Sequence, residues 1–146
     1  MSFQWLEMRI TEEKDRRKRE TATLERLPGA LEELHQALVV CVESYQKAFA
    51  PEAAAVHLHT SKIQVIVRHE LDGKWQQSSR VEVLLVPALP GFQVDSGTGG
   101  EPRMVHVGLL PGDKLFYRDP VKDQYVTLED LTRQILDRAF FPKLGE

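Results

Sequence analysis

The chain has 146 residues, of which 42% are hydrophobic and 28% charged, as in ordinary globular proteins. This length is enough for one domain with a normal hydrophobic core, so no second globular domain is needed. The formal net charge of −3 and the pI near 6.0 argue against a dedicated nucleic-acid surface. Cys41 is the only cysteine, which excludes an internal disulfide, and its place on an apolar helical stripe predicts a small core residue.

Two features of the sequence predict the compartment. No segment approaches the roughly 18 consecutive apolar residues of a membrane helix. The first residues also lack the basic region followed by an apolar run that is typical of a signal peptide. We therefore expect a cytoplasmic protein without a membrane span.

The first 27 residues predict a charged N-terminal helix or arm, followed by a single α+β domain over residues 28–146. Residues 3–10 fit both a helical face and the alternation of a strand, and we favour the helix. Thr11, followed by two glutamates, is an alternative helix start that would leave a strand or arm before it. Between Glu7 and Glu20 there are six positive and five negative side chains. This balance predicts a solvated helix with close ion pairs, and contact with nucleic acid is not expected.

Apolar residues then recur at alternating spacings of three and four, the pattern of a coiled-coil seam. The members are Leu24, Leu27, Leu31, Leu34, Leu38, Cys41 and Tyr45. Pro28 interrupts the pattern, and because proline lacks a backbone donor it predicts a boundary or kink near Leu27, with Pro28 opening a second helix. That second helix, ending before Pro51, would lie on the sheet through a stripe that includes Val42 and Phe49.

The length of this region has a further consequence. A continuous helix over residues 5–49 would be about 65 Å long at 1.5 Å per residue, longer than a domain of this size is wide. The first helix must then either fold back on the second or project and pair with another copy of the chain.

Residues 55–86 alternate apolar and polar side chains and predict three antiparallel strands. A tight loop near Thr60 would place Val56 opposite Val65 and Leu58 opposite Ile63. A two-residue turn at Asp72–Gly73 would place charged residues of the third strand opposite Ile63 and Val65. We therefore predict a bulge at Gly73 that sets Ile63 and Val65 opposite Val81, Val83 or Ser79.

The rest of the chain predicts further strands and a final helix. Residues 87–91 should break the sheet, residues 92–95 resume it, and residues 96–102 form a flexible loop. A second hairpin should pair Leu109 with Leu115 and Val107 with Tyr117, and residues 124–126 should add a short strand. Thr127 should cap the last helix, with Asp130 at its third position. Its buried face is expected to contain Leu128, Leu131, Ile135, Leu136 and Phe140.

Together these elements predict an α+β fold: N-terminal helices, an antiparallel sheet of about five to seven strands in meanders, and a C-terminal helix packed on one sheet face. The opposite sheet face would be mixed and mostly polar. His57 and His59 leave it together and Glu82 lies two strands away, so these three residues are a candidate metal site. The same face is the alternative ligand surface, with His57, Gln64, Arg68 and Glu82 under the 96–102 loop.

No nucleophile can be linked to a base and an orienting acid, so no catalytic residue or cofactor is predicted and an enzyme is not the favoured class. The favoured function is a non-enzymatic interaction or assembly module, a homo-oligomer or a subunit that binds a protein partner. Its contact surface would be the aromatic tip of a charged helix with too few apolar residues to bury itself. The expected contact residues are Phe3, Trp5, Leu6, Met8, Ile10, Leu24 and Leu27.

Overall fold

Seven antiparallel strands and two helices make up the part of the chain that the computed structural model describes, residues 1, 3–97 and 100–142. The strands are hydrogen-bonded in chain order, so the sheet is one continuous meander. The elements are α1 (Gln4–Ala48), a short 3-10 turn (Pro51–Ala53), β1 (Ala54–Leu58), β2 (Lys62–Leu71), β3 (Lys74–Val86), β4 (Gly91–Asp95), β5 (Arg103–Leu110), β6 (Lys114–Asp119), β7 (Gln124–Val126) and α2 (Leu128–Phe140). The predicted α+β class is confirmed.

The predicted pairing of the first three strands is also confirmed. Val56 pairs with Val65 in β1–β2, and Val65 pairs with Val81 in β2–β3. Ile63 likewise pairs with Val83, and both are fully buried. The apolar side chains of the three strands point to the same side of the sheet only in this register. Their burial on that side therefore selects the register.

The position of the bulge was predicted wrongly. Asp72 and Gly73 form a two-residue turn in which both φ angles are positive, 54° and 76°, and Leu71 pairs with Lys74 across it. The register shifts farther along the hairpin, at Ser78. This residue has no pairing partner on β2, because Gln77 pairs with Arg68 and Ser79 with Val67. The left-handed turn matches the twist of a hairpin, and the later bulge restores the apolar register.

The core lies between one sheet face and both helices. One cluster contains Leu34 and Leu38 of α1, Phe92 and Val105 of the sheet, and Leu131 of α2, each exposed by 1% or less. Cys41 is half-buried and packs against this cluster. Since α1 and α2 share the cluster, the predicted packing of the C-terminal helix on the same face as the N-terminal helical region is confirmed.

The later elements follow the predictions closely. Leu109 pairs with Leu115 and Val107 with Tyr117 in β5–β6, and β4 and β7 occupy the expected residues. The Thr127 hydroxyl accepts a hydrogen bond of 3.1 Å from the Asp130 amide, which caps α2 as predicted. The predicted 96–102 loop lies partly outside the described residues, because 98 and 99 fall within it.

The predicted boundary at Pro28 is wrong, since α1 continues through it as one helix of 45 residues. At 1.5 Å per residue this helix is about 67 Å long. Leu27 and Leu31, on either side of Pro28, are 1% and 2% exposed and lie on the same buried face, whereas Pro28 itself is exposed. Packing of the flanking leucines outweighs the lost backbone hydrogen bond. Phe49 was also predicted to face the sheet, but it lies beyond the last turn and is 63% exposed.

Candidate functional site

The three residues of the predicted metal site do not come together. His57 pairs with Gln64, which pairs with Glu82, so two strand spacings of about 4.8 Å separate the first backbone from the last. Glu82 Oε1 instead lies 3.6 Å from both Lys62 Nζ and Arg80 Nε. His59 lies beyond the end of β1 and is exposed. Among residues 1, 3–97 and 100–142, no group of three His, Cys, Asp or Glu side chains is placed to hold a metal ion.

The first half of α1 extends beyond the sheet. We call residues 4–22 the projecting segment, because Thr23 is the first buried side chain of the helix and all earlier ones are exposed or half-buried. These 19 residues span about 28 Å. The body of the domain begins at the level of Arg26, whose Nη1 donates a 2.9 Å hydrogen bond to the carbonyl of Asp113 in the β5–β6 turn.

Ion pairs cover the middle of the projecting segment, as the charge balance predicted. Arg16 bonds both Glu13 and Glu20 at 2.7 Å, Arg17 bonds Glu13 at 3.1 Å, and Arg9 bonds Glu12 at 3.0 Å. Hydrogen bonds from Arg16 and then Arg17 lower the pKa of the Glu13 carboxyl to about 2. Such pairs stabilise an exposed helix only slightly, because solvent screens both partners.

Large apolar side chains are exposed at the tip of the segment. The exposed fractions are 55% for Phe3, 65% for Trp5, 43% for Leu6, 58% for Met8 and 46% for Ile10. Leu24, where the helix meets the body, is 38% exposed. Leu27 was predicted to be part of the same contact surface, but it is 1% exposed and packs in the core of its own domain.

The heptad pattern of the buried half continues through the projecting segment. Counting back from Leu27 in steps of three and four gives one line of positions, which we call the seam. Its members are Leu24, Glu20, Arg17, Glu13, Ile10, Leu6 and Phe3. The seam therefore has apolar side chains at both ends and charges in its centre. The spacing of three and four is present in the sequence, but it was not recognised as a seam because three of its successive positions, Glu13, Arg17 and Glu20, are charged.

A cleft of about 500 Å³ lies between α2 and the sheet. Its floor is apolar and includes Val81, Val94 and Ile135. At its rim, Arg103 Nη1 donates a 3.1 Å hydrogen bond to Gln134 Oε1. The lining residues are Ser79, Val81, Val94, Ser96, Glu101, Arg103, Leu131, Gln134, Ile135, Arg138, Ala139 and Pro142. This cleft is on the helix-covered face, opposite the polar face that was predicted as the alternative ligand surface.

Comparison with known proteins gave no relative. No protein-family model matches the chain, and neither the curated proteins nor the solved structures contain a significant match. Within the described residues, neither helix is long and apolar enough to span a membrane.

Proposed function

We propose that this chain is a non-enzymatic assembly module that self-associates through the projecting segment of α1. The observation that carries the proposal is the exposure of Phe3, Trp5, Leu6, Met8 and Ile10 together at the tip of a helix with no buried side chain before Thr23. Phe3, Leu6 and Ile10, spaced by three and four, fall on one helical face, and monomeric soluble proteins rarely expose a contiguous apolar patch without a use for it.

Helix energetics support the same conclusion. In proteins most of the stability of a helix comes from the packing of an apolar face, and the projecting segment has no packed face in the single chain. The ion pairs of the projecting segment add only a little stability because both partners are exposed. Burying one large apolar side chain contributes about 1.5–3 kcal/mol, so a few such contacts from each copy would stabilise the segment and the association together.

The main alternative for a charged helix, binding to nucleic acid, is poorly supported. The six positive side chains of the segment are nearly balanced by five acidic ones, and Arg16 and Arg17 already bond carboxylates on their own helix. A phosphate backbone attracts unneutralised Lys and Arg side chains. An apolar tip adjoining a neutralised helix fits a protein partner better.

Sedimentation velocity over a concentration series tests the proposal. We expect the wild-type chain to be mostly dimeric or larger at about 100 μM, which requires an association free energy of about 7 kcal/mol. The double substitution Leu6→Glu/Ile10→Glu should give monomers whose urea midpoint equals that of dilute, unassociated wild type, since both side chains lie outside the core. A matched control is Val40→Glu/Val121→Glu, which adds the same charge at side chains that are 63% and 90% exposed elsewhere. This control should associate like wild type.

Two results would contradict self-association through the projecting segment. One is a wild-type chain that stays monomeric through the whole concentration series. The other is association of the Leu6→Glu/Ile10→Glu variant with wild-type affinity, which would place the contact outside the projecting segment.

A second candidate function, binding of a small amphipathic anion, is favoured by the cleft at α2. Its apolar floor would hold a hydrocarbon chain, and Arg103 and Arg138, which outnumber Glu101 in the lining, would attract a carboxylate. Calorimetry with decanoate should detect binding that Arg103→Gln weakens about tenfold, one lost charge-assisted hydrogen bond. Decanol is the neutral control, and equal binding of decanol and decanoate would exclude the anion site.

A further inference from the structure

We propose that two copies pair their projecting segments antiparallel, with Glu13 of each copy opposite the partner's Arg17. This inference rests on the proposed self-association and specifies its geometry. It follows from the order of side chains along the seam, which is apolar at Phe3, Leu6 and Ile10, charged at Glu13, Arg17 and Glu20, and apolar again at Leu24.

A parallel pair conflicts with this order. In parallel coiled coils each seam residue faces its own copy. Glu13 would then face the partner's Glu13, Arg17 the partner's Arg17 and Glu20 the partner's Glu20. Three consecutive layers of like charge would occupy the centre of the contact, and like charges placed opposite each other are repulsive. The two bodies would also lie side by side at the same end of the pair.

An antiparallel pair converts the two central charges into attractive contacts. Seam residues then face each other at positions whose numbers add to 30. Glu13 faces the partner's Arg17, Leu6 faces the partner's Leu24, and Glu20 is the one charge left opposite an apolar residue, the partner's Ile10. Because the pair is symmetric, the contact between Glu13 and the partner's Arg17 occurs twice. The 38% exposure of Leu24 at the junction with the body is consistent with a surface that the partner's tip covers.

The neighbouring registers are poorer. A shift of one heptad towards the tips places Phe3 against Glu20 and Leu6 against Arg17. A shift of one heptad in the other direction sets Ile10 opposite Leu27 and Leu6 opposite Leu31, which are 1% and 2% exposed in their own core. The chosen register brings only Phe3 to the level of Leu27, its other layers use exposed or half-buried side chains, and it alone sets Glu13 opposite Arg17.

The length of the projecting segment fits this register. Phe3 of one copy would reach the level of the partner's Leu27, beside the β5–β6 turn that Arg26 contacts. Leu110, at the start of that turn, is 40% exposed and offers an apolar surface there. The bodies lie at opposite ends of the helix pair, so they do not compete for space.

Two flanking residues bring like charges near each other in this arrangement. Lys14 and Arg16 border the seam close to the symmetry axis. Each of them therefore approaches the same residue of the partner. Arg16 is already bonded at 2.7 Å to both Glu13 and Glu20 of its own helix, which neutralises it locally. The net charge of the seam centre in the two copies therefore stays small.

Disulfide trapping distinguishes the two directions. Full-length Leu6→Cys and Leu24→Cys variants, one carrying a size tag, are mixed and oxidised, and the joined peptides are identified by mass spectrometry. We expect a disulfide between position 6 of one copy and position 24 of the other, because residues of one layer approach within the roughly 7 Å that a disulfide needs. Wild type, which retains Cys41, is the control for disulfides formed through that residue.

Three outcomes bear on the inference separately from the proposed function. A dominant disulfide between two copies of position 6 would show a parallel pair and overturn the inference. A dimer that forms neither disulfide would overturn the register. If the chain is monomeric, the proposed function itself fails, and the sedimentation series reports this independently.

Charge reversal provides a second measurement. Glu13→Arg should weaken association about tenfold or more, because it places two arginines opposite each other twice. The double variant Glu13→Arg/Arg17→Glu should restore near wild-type affinity, because the opposite charges are only exchanged. In a parallel pair every layer would stay like-charged and no rescue would occur, so absence of rescue overturns the inference. Glu12→Arg, off the seam and equally charge-changing, should have little effect.

Discussion

Replacing Phe92 with alanine is expected to lower the free energy of unfolding by about 3–5 kcal/mol, the cost of removing a large buried aromatic side chain. Phe92 is 0% exposed and lies in β4 between Leu85 of β3 and Val105 of β5. Its ring centre is 6.2 Å from that of Tyr117, so the cavity would open in the middle of the meander. Few single changes in this chain remove as much buried surface.

Phe49→Ala is the matched control for this measurement. Phe49 is 63% exposed, and its ring contacts mainly Tyr45 at 4.7 Å. Its removal should change the free energy of unfolding by no more than about 0.5 kcal/mol. Urea denaturation at one fixed protein concentration measures both variants, because association would make the midpoint concentration-dependent. A small loss for Phe92→Ala, equal to that of the control, would contradict the described core.

Replacing Pro28 with alanine is expected to raise the free energy of unfolding by about 2 kcal/mol. Proline in a helix interior costs about 3 kcal/mol relative to alanine, since it removes a backbone hydrogen bond and clashes with the preceding turn. Alanine also increases the entropy of the unfolded chain, which offsets about 0.4–1 kcal/mol of the gain. Pro28 is exposed, so no core contact is lost.

Pro111→Ala is the control for Pro28→Ala. Pro111 lies in the β5–β6 turn, outside both helices, where proline restricts the unfolded chain without breaking a helix. Its replacement should lower stability slightly, by about 0.4–1 kcal/mol. If Pro28→Ala were also destabilising, α1 would depend on a break at Pro28, and the continuous helix would be contradicted.

The continuity of α1 matters for the proposed assembly. Because the helix passes Pro28 without ending, the projecting segment and the packed half of α1 belong to one hydrogen-bonded helix. A partner bound at Leu6 or Ile10 would therefore be held about 20–25 Å beyond the body. A flexible joint at Pro28 would instead have let the first helix fold back and bury its apolar tip on its own domain.

The sequence alone determined the core pairing of the first three strands, the pairing of β5 with β6 and the C-terminal cap. Alternation of apolar residues in β1–β3 and β5–β6 allows only one pairing that buries them all on one side, and Thr127 with Asp130 marks a helix start by local hydrogen bonding. These features depend on residues close in sequence or on a period of two. The exposed apolar tip from Phe3 to Ile10 was visible for the same reason.

Only the tertiary structure decided what happens at Pro28, at Ser78 and around His57. Local propensity favours a helix break at Pro28, but burial of Leu27 and Leu31 on the same sheet stabilises the unbroken helix. The bulge at Ser78 reconciles a tight turn with the core register, which needs both strands to be placed. His57 and Glu82 share a sheet face yet stay two strands apart, because a face is set by alternation whereas convergence depends on distances across the sheet.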